Sequence, residues 1–282
     1  MTPQVGRLGV WAGQSKLGPE LAQALEGLGY DAVWIGSSPG GDLGIAADLL
    51  AATERMVVAT GIVNIWRDDA HTIAAAHRRL AGDFPGRFLL GIGTGHPEST
   101  SDYRHPYQAL VDYLDVLDAE GVPQDERVLA ALGPKVLRLA ADRTAGAHPY
   151  LVPPEHTRQA RELVGPSVLL APEQKVVLDA DPDRARALGR PVVQTPYLGL
   201  SNYLANLRRL GFTDADVADG GSDRLIDALV AHGDAAAVAS RLREHYDAGA
   251  DHVAVQLISA PEADPLDGYR ALAAALRGGV SG

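Results

Sequence analysis

Cysteine is missing from all 282 residues, which excludes disulfides, zinc–thiolate centres and thiol nucleophiles. Lysine is nearly missing: Lys16, Lys135 and Lys175 stand against 22 arginines, so Schiff-base chemistry has few candidates. No apolar run approaches the roughly 20 residues that span a bilayer. The opening MTPQVGRLGVWAG has no charged region followed by an apolar one, so a soluble, cytoplasmic protein without a signal peptide is expected. A formal charge of -11 argues against nucleic-acid or anionic-membrane partners. No His-x-x-x-His pair or paired carboxylate set stands at the end of one predicted strand, so nothing points to a metal.

What is present is an apolar content of 46%, arranged as short β-like runs that alternate with longer helical patterns. Strands are expected at Leu8–Ala12, Ala32–Gly36, Met56–Ile65, Phe88–Gly93, Arg127–Leu132, Ala147–Val152, Val168–Leu178 with an interruption at Pro172, and His252–Ile258. Between them the spacing predicts helices at Pro19–Leu28, Leu43–Thr53, Ala70–Phe84, around Leu114–Leu117, at Pro134–Thr144 and from Pro153 to Val164. Further helices are expected at Asp181–Gly189, Asn202–Leu210, Ser222–Leu229, Ala235–Ala248 and Asp267–Arg277. Several begin at proline or end at glycine, as helix termini favour. Eight strands, each followed by a helix, predict an α/β fold, a (βα)8 TIM barrel as a single domain over 1–282. The helices from Asn202 to Leu229 form an insertion between the seventh and eighth strands.

In such a barrel, function sits in the loops after the strands. Arg87–Pro97, RFLLGIGTGHP, is the most informative stretch. An apolar strand runs into Gly91, Gly93, Thr94, Gly95 and His96, and glycines there let a flat or phosphorylated ligand approach the main chain. The same alternation also serves a tight strand-to-helix turn with no ligand.

The segment VATGIVNIWRDDAHTIAAAHRRLAGDFPGRFLLGIGTGH, Val58 to His96, resembles the luciferase-like oxidoreductases, in particular the branch that uses the deazaflavin coenzyme F420. RLGVW, GLGYDAVWIG, ALGPKVLRLAADRTAG and HPYLVPPEHTRQAR are similar to that branch as well, so the likeness covers most of the chain. The superfamily also contains FMN enzymes. The resemblance implies a bulge in the third strand with a non-prolyl cis peptide at Gly61–Ile62 behind the ring, with Ile62 and Asn64 beside it. It places Gly93, Thr94 and Gly95 along the ring. Leu132, Gly133 and Pro134, with Lys135, mark a helix start near the phosphate, and Tyr150, Val152 and His156 complete that pocket. A homodimer is implied through helices near the second and third strands.

Where several relatives carry an acid and a histidine after the second strand, this chain has Ser37 and Ser38. His96 follows the TG pair and is a candidate proton shuttle, with Ser38 and Trp66 as further catalytic candidates. The reaction expected is hydride transfer between the deazaflavin C5 and a small organic substrate, reducing an activated C=C or C=N bond. The alternatives are an FMN-dependent monooxygenase, a non-catalytic cofactor-binding barrel, and an aldolase-type barrel using Lys175, against which stands the lack of a neighbouring Lys or Tyr to lower its pKa. Each residue also has a plainer reading: His96 as a loop cap, Trp34 and Trp66 as packing, Asp68-Asp69 as a helix cap, His71 and His77 as helix contacts. His148 and Tyr150 share one face of the sixth strand by period two.

Overall fold

The computed structural model describes residues 2–96, 98 and 104–278; Pro97, the end of the RFLLGIGTGHP stretch, lies outside them. Strands and helices alternate along the chain. The strands are β1 (Leu8–Gly13), β2 (Ala32–Gly36), β3 (Val57–Thr60), β4 (Val63–Asn64), β5 (Phe88–Gly93), β6 (Arg127–Leu129), β7 (Gly146–Ala147), β8 (Leu169–Leu170), β9 (Glu173–Val177), β10 (Val230–His232) and β11 (Val253–Leu257). The helices are α1 (Pro19–Gly27), α2 (Gly44–Ala52), α3 (Ala70–Asp83), α4 (Pro106–Ala119), α5 (Pro134–Arg143), α6 (Pro154–Val164), α7 (Pro182–Gln194), α8 (Ser201–Arg209), α9 (Asp214–Val217), α10 (Asp223–Leu229), α11 (Ala235–Asp247) and α12 (Pro265–Gly278). Proline opens α1, α5, α6 and α7, and the Asp69, Asp181, Ser222 and Asp234 side chains cap α3, α7, α10 and α11.

All the pairings are parallel, in the order β10-β9-β11-β1-β2-β3-β5-β6-β7-β8. One end of this path is β8, and β9, next to the other end, is separated from it in sequence only by Ala171 and Pro172, so the ring closes through one bent strand with β10 beside it. Proline lacks the donor to continue the ladder, and its carbonyl instead accepts from Ala254 N at 2.9 Å. With β3–β4 and β8–β9 each counted once, the ring has the eight members expected of the barrel, and the α/β fold stands. β10 was not foreseen; it lies along the upper part of β9, an edge that the two-residue β7 leaves open.

Two strands end earlier than expected, at Leu129 and Ala147. Past Ala147 the chain turns away, with Leu151 in the left-handed region at φ 55 between Pro149 and Pro153, so His148 and Tyr150 share a cavity without sharing a strand. The third strand does bulge. Ala59 faces Leu89, but Val63 faces Ile92, which inserts one residue on the β3–β4 side. Thr60 fills the break: its Oγ1 donates to Gly91 O at 2.9 Å and accepts from Gly91 N at 2.7 Å. The expected cis peptide is not there. Among the described residues Thr195–Pro196 is the cis bond, at a proline, where the trans preference is small. The bulge at Gly61–Ile62 is made with trans peptides, Gly61 N donating to Ile35 O at 2.8 Å and Ser38 Oγ to Ile62 O at 3.2 Å.

The barrel is filled in layers. Low in it lie Val5, Ala32, Val57, Leu89, Val128 and Ala254. Above them the Trp34 indole stacks on His148, centroids 4.1 Å apart and planes at 9°, and donates from Nε1 to His252 Nε2 at 3.0 Å. The insertion shares an apolar cluster with α7, including Val193 on α7 and Tyr203, Leu207, Leu225 and Leu229, joined to the barrel through Leu151. α7 continues beyond the expected Gly189 to Gln194, with Pro191 within it.

Candidate functional site

A cavity of about 550 Å³ opens at the mouth of the barrel, where the strands deliver their C-terminal ends. Its floor is main chain and small residues. Gly61 is there because a Cβ would stand 2.9 Å from Trp11 Nε1. Gly95 has φ +60, and a Cβ there would stand 2.8 Å from Asn64 Nδ2. Both therefore keep a flat path open along the third and fourth barrel strands. Ile62, Asn64 and Thr94 line the same side, and Leu132 and Gly133 continue it to α5.

α5 supplies the electrostatics. Its N-cap Gly133 offers no side-chain cap and Pro134 has no N–H, while Val136 N and Leu137 N donate to Gly133 O at 3.1 and 3.0 Å, so this start offers the cavity the Lys135 N–H and the positive end of the dipole. Lys135 lines it nearby, and Arg209 reaches over from α8, its Nη2 3.8 Å from where a Gly133 Cβ would be. Sequence reading missed Arg209, since only folding brings α8 to α5.

Ser37 and Ser38 are both in the left-handed region, at φ 64 and 49, a conformation that costs a non-glycine residue about 1–2 kcal/mol. Gln14 Nε2 donates to Ser37 O at 3.1 Å and Arg67 Nη1 to Ser38 O at 2.7 Å, holding the turn. Because the Ser38 hydroxyl hydrogen goes to Ile62 O, its oxygen faces the cavity as an acceptor. His96 also lines the cavity, and burial pushes its pKa down, opposed by the Glu98 carboxylate. Trp66 does not line it; its Nε1 donates to Thr94 O at 2.7 Å and fixes the turn after β5.

Four other residues placed at the cofactor lie behind the wall. Gly93 gives room to Ile62, whose Cδ1 would be 2.8 Å from a Cβ. Pro134 starts α5, and Val152 is buried. His156 is buried too, its Nε2 donating to Leu132 O at 2.9 Å, so it supports the wall's backbone. Tyr150 does line the cavity, packed on Trp11 with centroids 4.9 Å apart. His148 lies beside it. Its Nδ1 donates to Ala171 O at 2.6 Å, which leaves Nε2 as a bare acceptor with no partner among the described residues, and burial lowers its pKa to about 3.

Lys175 is not on the cavity wall. Its Nζ is 3.2 Å from Glu173 Oε1, 3.0 Å from Gln256 Oε1 and 3.9 Å from the Tyr150 ring centroid. Tyrosines do therefore neighbour it, contrary to the sequence expectation. Burial lowers its pKa and raises that of Glu173. The other plain readings hold: Asp69 caps α3, His71 pairs with Glu120 at 2.8 Å, His77 is buried 3.2 Å from Glu126, and Trp34 is core. No group of residues that could hold a metal occurs among the described residues, and none of their helices is long and apolar enough to cross a membrane.

Residues 16–121 match the family of luciferase-like monooxygenases. The resemblance read in the sequence to the luciferase-like oxidoreductases is thereby borne out. Solved structures share the fold over nearly the whole chain. An F420-dependent secondary alcohol dehydrogenase, in complex with an F420-acetone adduct, superposes with a TM-score of 0.74 at 15% identity, covering 97% of this chain and 99% of that one. The coenzyme F420-dependent tetrahydromethanopterin reductase from Methanopyrus kandleri gives 0.71 at 15%, covering 98% and 99%. A type II Baeyer–Villiger monooxygenase, the oxygenating constituent of 3,6-diketocamphane monooxygenase from Pseudomonas putida in complex with FMN, gives 0.68 at 15%, covering 96% of each. No curated protein matches the chain by sequence. The chain thus has the barrel fold of these structures, one of which holds an F420-acetone adduct and another FMN.

Proposed function

We propose that this protein is an F420-dependent oxidoreductase that reduces an activated C=C or C=N bond of a small organic substrate. The observation that carries the reading is one continuous cavity, with a glycine-floored slot beside Gly61 and Gly95 that leads to the uncapped start of α5 under Arg209 and Lys135. A flat ring bearing an anionic tail fits that order of surfaces. The unpartnered His148 Nε2 gives such a ring a hydrogen-bond acceptor in a wall that would otherwise bury it at a cost.

The deazaflavin supplies the hydride when bound. The chain's own residues position and protect. The main chain at Gly61 and Gly95 sets the plane of the ring, while Ile62 and Leu132 keep water from it. Arg209, Lys135 with its main-chain N–H, and the positive end of the α5 dipole would hold the anionic tail. His96 is neutral near pH 7, so it donates or accepts one hydrogen bond at the reacting end, and Ser38 accepts one there.

An FMN-dependent monooxygenase is the second reading, favoured by the same uncapped helix start, which suits a terminal phosphate equally well. Parallel equilibrium titration with F420, its reduced form and FMN tests both. Micromolar or tighter binding of the deazaflavin alone supports the first reading, preference for FMN replaces it with the second, and failure of all three to bind defeats both.

A further inference from the structure

The end of the cavity away from α5 is not used by the ring or its tail. Five rings from separate pieces of chain follow one another there: Trp11 on β1, Tyr150 after β7, Tyr197 in the turn before α8, Tyr203 on α8 and His96 after β5. Successive centroids are 4.9, 5.3, 4.9 and 5.6 Å apart. Two of the five, Tyr197 and Tyr203, come from the segment between α7 and the end of α8, so this wall exists only because that segment folds over the barrel.

The charge at this end is as uneven as the shape. Among the described residues lining the cavity, the formally charged ones are Lys135 and Arg209, both at the α5 end. Burial holds the tyrosine phenols above their ordinary range and His96 below its own, so the five rings are uncharged near pH 7. The Tyr150 hydroxyl is already committed to Gln256 Oε1 at 2.9 Å. Glu98 adds a carboxylate close to His96, turned to Ser201 N at 3.0 Å.

We infer that this aromatic arc is the substrate subsite, and that it selects a neutral planar aromatic molecule over anionic or saturated ones of the same size. The inference rests on the proposed function for leaving this end to the substrate. Aromatic faces and edges reward another ring beyond the area it buries. A carboxylate placed here would be desolvated with no cation on the wall to meet it, since Lys175 lies behind the Tyr150 and Tyr197 rings, 3.9 and 5.4 Å from their centroids, and is paired with Glu173, and Glu98 is near by. A saturated ring would fill the space without the ring–ring gain.

Titration calorimetry with 2-naphthol, 2-naphthoate and decahydro-2-naphthol tests this, with quenching of tryptophan fluorescence as a second readout. The expected order is 2-naphthol first, with 2-naphthoate and the saturated alcohol each weaker, the anion by about tenfold or more. Tyr197→Leu and Tyr203→Leu should each weaken 2-naphthol by about two- to tenfold. Tyr203 also packs in the insertion core, so the half-buried Tyr197 decides if the Tyr203 variant fails to fold. Absence of 2-naphthol binding, equal affinity for either comparison probe, or unchanged affinity in the tyrosine variants overturns the inference. Titration of F420 and FMN into wild-type protein and Tyr197→Leu separates the two proposals: failure of both cofactors to bind wild type defeats the proposed function, and the naphthol series stands or falls by itself.

Discussion

The barrel beneath the cavity and the roof over it are built by different means. Between the barrel strands, backbone meets backbone. A Cβ on Gly91 would lie 1.8 Å from Thr60 O, and one on Gly146 1.9 Å from Leu169 O, so no side chain fits without moving a strand. In the roof, side chains meet side chains. α7 and α10 are joined by Arg186 to Asp227, at 2.8 and 2.7 Å, and by Arg190 to Asp223 at 2.5 Å. Thr213 and Asp216 form a capping box on α9, and the apolar cluster of the insertion sits beneath. A barrel fixed by main-chain distances tolerates little change, while a roof held by side-chain contacts tolerates more.

Acid should break this comparison most strongly. Burial lowers His148 and His245 to about 3 and His252 to about 4, and all three belong to the barrel and its surrounding helices, whereas 182–229 contain no histidine. These groups stay neutral in the native state, and the unfolded chain takes up their protons below its ordinary histidine pKa. Their contribution is therefore complete above about pH 6.5 and is lost as pH falls towards 4 and then 3, by up to about 1.4 kcal/mol per pH unit for each. Glu173, raised by burial, works in the opposite direction and tempers the loss. Urea midpoints at pH 7.5, 6 and 5 should fall steeply, and a flat profile would remove the barrel histidines from the account.

Gly91→Ala comes next. The clash with Thr60 O should cost about 3 kcal/mol or more, read as a lowered urea midpoint or loss of soluble protein. Tyr197→Leu in the roof should leave that midpoint within about 1 kcal/mol. Gly95→Trp should weaken binding of the flavin-type ring about 100-fold or more, with the circular dichroism spectrum kept. Unchanged affinity there would move the ring away from the strand-four turn. Smallest is Arg209→Ala, expected to weaken the phosphate-bearing cofactor about tenfold and to flatten the salt dependence of binding; an unchanged salt dependence would take the anion away from α5.

Much of the barrel was legible because it rests on local pattern. Phe88–Gly93 is buried throughout, and an apolar run on both faces marks such a parallel strand. The prolines that open α5, α6 and α7 fixed those starts, and the break at Pro172 was visible because proline cannot donate to a ladder. Strand ends were less legible. Arg127–Leu132 is apolar to its last residue, yet its pairing stops at Leu129 where the neighbouring strand stops, and Ala147–Val152 is broken by Pro149 and the left-handed Leu151. β10 gave no signal, because three residues gain strand form only from a vacant edge.

The site divides in the same way. Gly95, with Thr94 beside it, was found because glycine after a strand has a steric meaning readable in sequence, whereas Gly61 and Gly133 were placed by resemblance. Val152 and His156 were placed at the ligand by resemblance and lie behind the wall, since direction depends on where the chain turns after Ala147. The sequence alone determined a parallel α/β barrel without thiol chemistry, with a glycine-rich turn after its fourth strand, because composition and periodicity act over a few residues. Tertiary structure decided that Arg209 meets α5, that Lys175 is sealed behind Tyr150, and that Trp11, Tyr150, Tyr197, Tyr203 and His96 form one arc. Those are contacts between side chains far apart in the chain, and no local pattern encodes the distance between them.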